Sequence, residues 1–383
     1  MQDIRSHFQF TEASNAIYLD SAATTQKPKI VINTINDYLQ FVANPGRNPF
    51  GKSQNIFNQI QEARKSISNF FNTNENNLAF TAGVTDGMNK LALSLESYLK
   101  DQDSEILICN QDHKSTTLPW VELAKENPNI KIHKYNLHPF TGEIDEKDLL
   151  SNINSNTKLI VFTHSHNVFG IVNNIKTIVQ KIPKNILTVL DSAQTVSHIK
   201  VDFKSLGVDY LLFSGHKLFA LEGSGALITS QKGQKPLKQV FHGGGVEDSN
   251  YPNIFEVGTP STAGILSMQS AIEFIKGYGI QNIHKKVTDL TAYCIQELSK
   301  IPSITFTPGV AYNKKSQNTG IISFKIESEP EQINEILDHE NINIRIGTHC
   351  SSDNQFDATL RVSLHAYNEK QDIDKLIQTL SKL

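Results

Sequence analysis

Cysteine, tryptophan and methionine are scarce in this sequence. Its 383 residues include only three cysteines, one tryptophan and three methionines. Disulfide-stabilised frameworks need many paired cysteines in a short chain, so an odd number spread over a long chain excludes that class of protein. No apolar run approaches the ~18 residues of a membrane-spanning helix, and the first residues lack the apolar stretch of a secretory signal. These absences predict a cytoplasmic, enzyme-sized protein with no membrane partner.

An excess of either charge is also lacking. The chain has 36 Lys and Arg residues against 39 Asp and Glu residues, which gives a net charge of -3 at pH 7. The most notable basic feature is the pair Lys314-Lys315, which is typical of a solvated turn. Since nucleic-acid-binding proteins present a basic surface to the phosphates, no nucleic-acid partner is expected.

Apolar runs of strand length alternate with helical patterns over the first two thirds of the chain, and one such pattern predicts a helix at 29–43. Such alternation predicts βαβ units and a largely parallel sheet, which is the α/β fold class. After about residue 262 a long helical stretch precedes two strand patterns and a final helix, so an α+β region ends the chain. The strand-like runs lie at 17–20, 78–81, 105–109, 130–135, 159–163, 186–191, 210–213 and 225–229.

Two of these runs end in polar residues. The polar residues at the ends of 186–194 and 210–217 are Asp191, Gln194, Ser214, His216 and Lys217. Ligands of open α/β sheets sit at the carboxyl ends of strands, so these side chains are expected to converge on one site. A lysine that forms a Schiff base with pyridoxal phosphate needs an acid facing the pyridine nitrogen, because the protonated ring then withdraws electrons from the substrate. Lys217 and Asp191 suit these two roles.

Two other motifs indicate different chemistry. The segment from Gly46 to Ser53 matches the phosphate-binding pattern G-x-x-x-x-G-K-[ST], but the segment before it has helical rather than strand periodicity. A nucleotide-binding protein that uses this segment is therefore the remote alternative. His164 and His166 look like a metal pair, but a zinc site needs more ligands and no other Cys or His cluster has suitable spacing. No metal is expected.

Four segments carry a resemblance to a known family and occur in its order: LDSAATTQKP (19–28), VLDSAQ (189–194), FSGHK (213–217) and FEVGTPSTAG (255–264). The chain resembles the class V, fold-type I pyridoxal-phosphate enzymes over nearly its whole length. Within them it is most similar to the Suf-type cysteine desulfurases and selenocysteine lyases. The resemblance implies a mostly parallel seven-stranded sheet between helices in a large domain at 19–261. Residues 1–18 and 262–383 would form a smaller α+β domain.

The resemblance implies pyridoxal 5'-phosphate as the cofactor and a homodimer as the assembly. Lys217 matches the Schiff-base lysine, and Asp191 matches the partner of the ring nitrogen. Thr259 matches a phosphate ligand that the other subunit donates. The remaining matches are Gln194 at the phenolic oxygen, His113 stacked on the ring, Asn167 near the ring oxygen and substrate, and Thr85, Ser214 and His216 at the phosphate.

The resemblance also implies the reaction. Arg361 matches the arginine that holds the substrate carboxylate, a task that suits a bidentate guanidinium. Cys350 matches the cysteine that takes sulfur from L-cysteine as a persulfide and leaves L-alanine, with a sulfur-acceptor protein and iron–sulfur cluster assembly downstream. Lys217 would move the α-proton, with His113 also in the catalytic set. Arg47 is what remains of the family's His-rich substrate loop.

Several reactions on the same scaffold stay open at this point. The cysteine loop reads THCSSD where the family usually has HHCAxP, and the segment after Gly243 is short. These departures cluster around substrate and sulfur handling. The alternatives are a selenocysteine lyase, a cysteine or cystine β-lyase, another class V aminotransferase-type reaction, and a non-catalytic scaffold that binds the same cofactor.

Overall fold

Helices and strands alternate along the chain around two main sheets. The computed structural model describes residues 3–45, 51–101, 103–244, 250–309, 318–353 and 357–383. The helices are α1 (Phe10–Ala13), α2 (Lys29–Gln40), α3 (Gly51–Phe70), α4 (Val84–Lys100), α5 (Lys114–Glu126), α6 (Glu146–Ser151), α7 (Ile175–Lys181), α8 (Phe203–Leu206), α9 (Gln231–Gln234), α10 (Thr262–Tyr278), α11 (Ile280–Leu298), α12 (Pro330–His339) and α13 (Lys370–Leu380). Single turns of 3-10 helix lie at Ile4–His7, Glu75–Asn77, Gly215–Lys217 and Asn253–Phe255. No helix within the described ranges is long and apolar enough to cross a lipid bilayer.

The strands of the described residues are short and mostly buried. They are β1 (Ile17–Tyr18), β2 (Leu78–Thr81), β3 (Ser104–Cys109), β4 (Ile130–Tyr135), β5 (Thr157–Thr163), β6 (Leu187–Asp191), β7 (Tyr210–Ser214), β8 (Gly225–Thr229), β9 (Ile304–Phe306), β10 (Ile321–Ile326), β11 (Ile342–Asn343), β12 (Arg345–Gly347) and β13 (Thr359–Ser363). The structure therefore has a strand at each of the eight sequence runs that predict one.

A seven-stranded sheet forms the centre of the first two thirds of the chain. Its strand order is β2-β8-β7-β6-β5-β3-β4. β8 runs antiparallel to both of its neighbours, β2 and β7, while the other neighbouring pairs are parallel. The predicted α/β class with a mostly parallel seven-stranded sheet is therefore confirmed.

Apolar side chains on the two faces of this sheet enter two separate clusters. In β7, Leu211 and Phe213 belong to the cluster that includes α2, α3 and α10, while Tyr210 and Leu212 belong to the cluster formed with α4 and α5. Successive strand residues point to opposite faces, so both sets are buried only because helices cover both faces. This packing on both sides fixes the strand ends at which the polar residues lie.

A smaller sheet lies in the last third of the chain. Its order is β12-β13-β10-β9 and all its neighbouring pairs are antiparallel. It packs against α11 and α13 in a third apolar cluster, which Leu19 also joins. The parallel pair β1–β11 ties Ile17 to Ile342, so the N-terminal segment is attached to the C-terminal part. The division of the chain at 19–261 stays a prediction, and α10, just after that boundary, packs against α2 and α3.

Candidate functional site

The carboxyl ends of β6 and β7 hold an acid and an amine side by side. The two strands are parallel neighbours, and Asp191, the last residue of β6, pairs with Leu212 of β7. Lys217 ends the 3-10 turn that follows β7. The two side chains interact electrostatically, since Asp191 acts on the pKa of Lys217 in the direction that favours the ammonium.

Hydrogen bonds hold the carboxylate of Asp191 in a fixed orientation. Thr116 Oγ1 donates to Oδ2 at 2.8 Å, and the backbone N–H of Ala193 donates to Oδ1 at 2.9 Å. Both oxygens of the buried side chain are therefore satisfied. An acid held this way can stay opposite a cationic ring nitrogen. Thr116 lies in α5, and no sequence pattern pointed to it.

The amine of Lys217 is easier to deprotonate than that of an ordinary lysine. Burial lowers the pKa of Lys217 to about 8, which Asp191 partly opposes and the guanidinium of Arg361 supports. Desolvation disfavours the charged form, so about a tenth of the amine is neutral at pH 7, far more than for an ordinary lysine. Neutral lysine is the nucleophile that reacts with carbonyl compounds.

This pKa predicts a pH profile for the chemical reactivity of Lys217. In the cofactor-free protein, acetylation of Lys217 by acetic anhydride should accelerate with pH with a midpoint near 8, where half of the amine is neutral, and level off about two pH units higher. Peptide mass spectrometry after short pulses measures the rate at this residue. The same lysine in urea-denatured protein is the control, and its midpoint should move to about 10.4. A folded-state midpoint near that higher value would contradict the assignment.

The N-terminus of α4 forms an anion cradle beside these strand ends. Gly83 caps the helix with φ 139°, and a Cβ there would lie 3.1 Å from Ser214 Oγ. The N–H of Val84 donates to Ser214 Oγ at 2.9 Å, and Thr85 Oγ1 and Ser115 Oγ are 2.7 Å apart. Helix N-termini favour anions such as phosphate, and the hydroxyls add further donors. The structure thus places Thr85 and Ser214 together at a site suited to a phosphate group.

His216, the third predicted phosphate ligand, precedes Lys217 and is half-buried. Burial, with Lys217 and Lys27 nearby, lowers the pKa of His216 to about 4. The imidazole is therefore neutral near neutral pH and offers one N–H donor. Its main-chain carbonyl accepts bonds from the N–H and Oγ1 of Thr25, both at 2.9 Å.

His113 and Asn167 approach the same strand ends from other elements. His113 caps α5, its Nδ1 accepting the N–H of Ser115 at 3.1 Å. Burial lowers the pKa of His113 to about 3, with Lys217 acting in the same direction, so the ring is neutral and Lys217 lies near it. Asn167 donates through Nδ2 to the carbonyl of His349 at 2.8 Å, while its buried Oδ1 has no partner among the described residues.

Gln194 lies three residues after Asp191 and is also buried. Its Nε2 donates to the carbonyl of Ala22 at 3.0 Å. The amide therefore links the β6 end to the N-terminal segment that contains LDSAATTQKP, the first of the segments that carry the family resemblance.

Arg361 is a buried cation in the middle of β13. Its Nη2 donates to Asp20 Oδ1 at 3.0 Å and its Nη1 to the carbonyl of Asn167 at 3.1 Å. Its Nε has no partner among the described residues. An unsatisfied buried donor on a charged group is costly, and a carboxylate would satisfy it. The orphaned Nε of Arg361 and Oδ1 of Asn167 are thus a free donor and acceptor beside Lys217.

Cys350 lies on a loop that is bonded to the turn carrying His113. The N–H of Lys114 donates to the carbonyl of Cys350 at 2.9 Å, and Ser351 forms an antiparallel bridge with His113. Cys350 is exposed and, like His349, has a left-handed backbone, with φ 57° and 53°. Cys109 and Cys294 are buried, and desolvation raises the pKa of both thiols. Of the three thiols, only that of Cys350 is open to small molecules.

One predicted site residue lies apart from this cluster in the described chain. Thr259 is exposed and lines a groove of about 830 Å³ between α3 and the start of α10. Ala82, just before the α4 cradle, lines the same groove. Arg47 falls within 46–50, which lies outside the described residues.

The two other motifs do not form sites of their own in the described residues. The segment from Gly46 to Ser53 follows helix α2 and the loop 41–45, so the strand that a phosphate-binding loop needs is missing before it. His166 Nε2 bonds to the carbonyl of Gln111 at 2.9 Å, and His164 Nδ1 lies 3.1 Å from Thr195 Oγ1. No group of three or more His, Cys, Asp or Glu side chains with metal-binding geometry is present in the part of the chain that the structure describes.

Comparison with known proteins gives a consistent result along the whole chain. The sequence model of the family described as "Aminotransferase class-V" matches residues 17–376. The chain is 34% identical to a "Probable cysteine desulfurase" of Borreliella burgdorferi, with 96% of this chain and 91% of the relative covered. It is 30% identical to a "Cysteine desulfurase" of Wigglesworthia glossinidia brevipalpis, with 100% and 97% covered.

Solved structures share the fold of this chain. An apo cysteine desulfurase from Thermococcus onnurineus NA1 superposes with a TM-score of 0.92 at 25% identity, covering 100% of this chain and 97% of that one. A mutant of a protein named C-DES, with glycine covalently linked to its PLP cofactor, has a TM-score of 0.81 at 19% identity, with 98% of each chain covered. The second likeness shows the fold alone.

Proposed function

The chain belongs to the class-V aminotransferase family, and we propose that it is a pyridoxal 5'-phosphate-dependent cysteine desulfurase. It converts L-cysteine to L-alanine and carries the sulfur away as a persulfide on Cys350. The main support is one arrangement. The amine of Lys217 and the carboxylate of Asp191 lie at adjacent strand ends. The buried guanidinium of Arg361 and the exposed thiol of Cys350 lie on segments that meet them.

The residues present fit this cofactor. Lys217 would hold it covalently, Asp191 would face its ring nitrogen, Gln194 its phenolic oxygen, and the α4 cradle its phosphate. When bound, pyridoxal phosphate serves as an electron sink for charge at the substrate α-carbon. The neutral ring of His113 is suited to lie against an aromatic face without placing a second positive charge beside Lys217.

The substrate would be held by the two unpaired hydrogen-bonding groups of the site, the Nε–H of Arg361 and the Oδ1 of Asn167. Its carboxylate would take the Nε–H and an Nη–H of Arg361, and the unpartnered Oδ1 of Asn167 would accept an N–H or O–H from the ligand. This arrangement presents the α-carbon to Lys217. The Lys217 amine, whose lowered pKa of about 8 makes the neutral form accessible, takes the α-proton. Arg47 is retained as a further substrate contact by the resemblance alone.

Sulfur transfer is a displacement that balances without an external oxidant. The Cys350 thiolate attacks the substrate sulfur, a new S–S bond forms, and the Cβ–S bond breaks with its electron pair going to carbon. Protonation of that carbon and return of the α-proton by Lys217 yield alanine, and Cys350 is left as a persulfide. The exposed loop position of Cys350 allows a second thiol to collect this sulfur.

The product assay tests this function directly. With pyridoxal phosphate and L-cysteine, the protein should release alanine in an amount equal to the persulfide on Cys350 in the first turnover. A thiol reductant should then release sulfide and permit further turnovers. Pyruvate and ammonia from cysteine would point instead to a β-lyase, and alanine in the absence of any protein-bound persulfide would point to another class V reaction.

Exchange of Arg361 for lysine should raise KM for L-cysteine about 10- to 100-fold, because a charge-assisted bidentate pair becomes a single contact. The effect on kcat should be smaller, and cofactor binding should be unchanged. Steady-state kinetics with cofactor absorbance separate the two. Arg5→Lys is the matched control, since Arg5 pairs with Asp372 away from the site and should leave KM unaltered. Equal KM in R361K and wild type would remove Arg361 from carboxylate binding.

The assembly and the cellular role are further parts of this proposal. We propose a homodimer in which Thr259 of each subunit reaches the phosphate cradle of the other, supported by its exposure on the groove that Ala82 also lines. The domains would be 19–261 and 1–18 with 262–383. A sulfur-acceptor protein would collect the persulfide in the cytoplasm and supply iron–sulfur cluster assembly. Sedimentation analysis checks the dimer, and a monomer with full activity would rule out the shared site.

A further inference from the structure

Two buried polar side chains that the proposed chemistry does not use are hydrogen-bonded in series to the backbone of Lys217. Ser197, in the turn after β6, is 1% exposed, and His365, two residues after β13, is 0% exposed. Buried hydroxyl and imidazole groups are costly unless they are hydrogen-bonded, so their partners show what they do.

The hydrogen-bond directions in this pair are fixed. The N–H of Ala366 donates to His365 Nδ1 at 2.8 Å, so Nδ1 is the acceptor and the ring proton is on Nε2. Nε2 then donates to Ser197 Oγ at 3.1 Å. The hydroxyl proton of Ser197 goes to the carbonyl oxygen of Lys217 at 2.7 Å. A chain of donors therefore runs from His365 through Ser197 to the lysine peptide.

Packing holds the imidazole of His365 in place. Its ring centroid lies 4.2 Å from that of His198 and 4.4 Å from that of Phe219. Its backbone N–H donates to Asn368 Oδ1 at 2.8 Å, and Asn368 Nδ2 donates to the carbonyl of Tyr18 at 2.9 Å. Burial, together with His198, keeps the pKa of His365 well below its usual range, so the ring stays in the single neutral tautomer that donates to Ser197.

Hydrogen bonds hold the backbone on both sides of Lys217, at the carbonyls of His216 and of Lys217 itself. Thr25 donates to the carbonyl of His216, and Ser197 donates to the carbonyl of Lys217. Phe219, two residues further on, has a left-handed backbone with φ 64°, a conformation that an aromatic residue adopts only when its surroundings enforce it. These contacts leave the backbone of Lys217 little freedom to turn, and the amine is placed accordingly.

We propose that Ser197 and His365 are positioning residues that set the amine of Lys217 relative to the substrate held by Arg361. His365 lies four residues after Arg361 on the same segment. This segment therefore carries the group that binds the substrate carboxylate and also, through Ser197, holds the backbone of Lys217. This inference rests on the proposed function of Lys217 and Arg361. Neither Ser197 nor His365 touches the substrate in this scheme.

Four variants distinguish a positioning role from a role in packing alone. Ser197→Ala removes the bond to the lysine peptide, and His365→Phe keeps an aromatic ring but removes its donor. The double variant Ser197→Ala with His365→Phe also removes the Nε2–H of His365, which Ser197→Ala alone would leave buried without an acceptor. His365→Gln is the conservative variant, because its amide N–H can replace Nε2.

If the two residues position Lys217, thermal stability should respond to these substitutions differently from kcat and the rate of cofactor capture. Loss of one neutral hydrogen bond should lower kcat about fivefold in Ser197→Ala, with KM for cysteine unchanged. The rate at which the cofactor-free protein captures pyridoxal phosphate, followed by absorbance at ~420 nm, should fall by a similar factor. The double variant should regain thermal stability relative to Ser197→Ala but keep the lower kcat and the slower capture. His365→Gln should restore both rates to within about twofold of wild type.

The controls distinguish failure of this inference from failure of the proposed function. If wild-type protein captures no cofactor, the function itself is wrong. If wild type captures it and the double variant matches wild type in kcat and capture rate, the two residues only pack and the inference is overturned. Should Ser197→Ala fail to fold, His365→Phe and the double variant supply the same comparison.

Discussion

Replacing Lys217 by alanine should lower alanine production from cysteine about 10⁴-fold, because one side chain supplies both the covalent attachment and the base. The absorbance band of the lysine-linked cofactor near ~420 nm should also be lost. The structural reason is the position of Lys217 at the end of the turn after β7, where burial lowers its amine pKa to about 8 and Asp191 lies close by. Steady-state assays and spectra of protein purified with the cofactor measure both effects.

Borohydride reduction makes this prediction site-specific. Reduction of the wild-type protein should fix the cofactor on one peptide, and that peptide should contain Lys217. The matched control is Lys285→Ala on α11, an exposed lysine with a 77% accessible side chain that pairs only with Asp289. It should keep the full rate and the full absorbance. A label on Lys27, or unchanged colour in Lys217→Ala, would exclude Lys217 as the attachment site.

The central sheet could be predicted because its signals are local. Each buried strand is a short apolar run, and the end of β7 with the turn after it delivers Ser214, His216 and Lys217 within four residues. The carboxyl ends of parallel strands meet at one sheet edge, so Asp191 and Lys217 could be placed together from sequence alone. No long-range information was needed for these features.

The rest of the site depends on contacts between distant parts of the chain. Asp20 orients Arg361 across 341 residues, and no local pattern marks it as an arginine partner. In the sequence, His365 and Ser197 are isolated polar residues. A solvent-exposed position gives the same pattern, so the sequence does not mark them as buried. Their role becomes visible only when the hydrogen bonds to Lys217 are known. The same holds for the pairing of β1 with β11.

One local prediction was wrong by three residues for a physical reason. Apolar periodicity predicts a helix from 29 to 43, but α2 ends at Gln40 because Phe41 takes an extended backbone with φ -151°. Leu39, Phe41 and Val42 are more than half exposed and do not face the core. Periodicity cannot distinguish apolar residues that are buried against the chain's own core from those left on its surface.

The choice of reaction rests on the second large effect. Cys350→Ser should lower persulfide formation and alanine release from cysteine about 10³-fold or more, because a serine hydroxyl is a far weaker nucleophile than a thiolate. The cofactor absorbance should be unchanged, since Lys217 and Asp191 do not contact Cys350 in the described structure. Mass spectrometry of the Cys350 peptide after one turnover should show the added sulfur in wild type only.

The other two thiols provide the matched controls for Cys350. Cys109 and Cys294 are buried, so Cys109→Ala and Cys294→Ala should retain the parent rate in any variant that folds. Brief iodoacetamide treatment of the folded protein should modify Cys350 alone and stop turnover to the same extent as the serine change. If Cys350→Ser still releases alanine from cysteine at the parent rate, the displacement at sulfur does not occur on this thiol. The loop THCSSD would then have lost its sulfur-transfer role, and the same lysine, acid and arginine would support a lyase reaction instead.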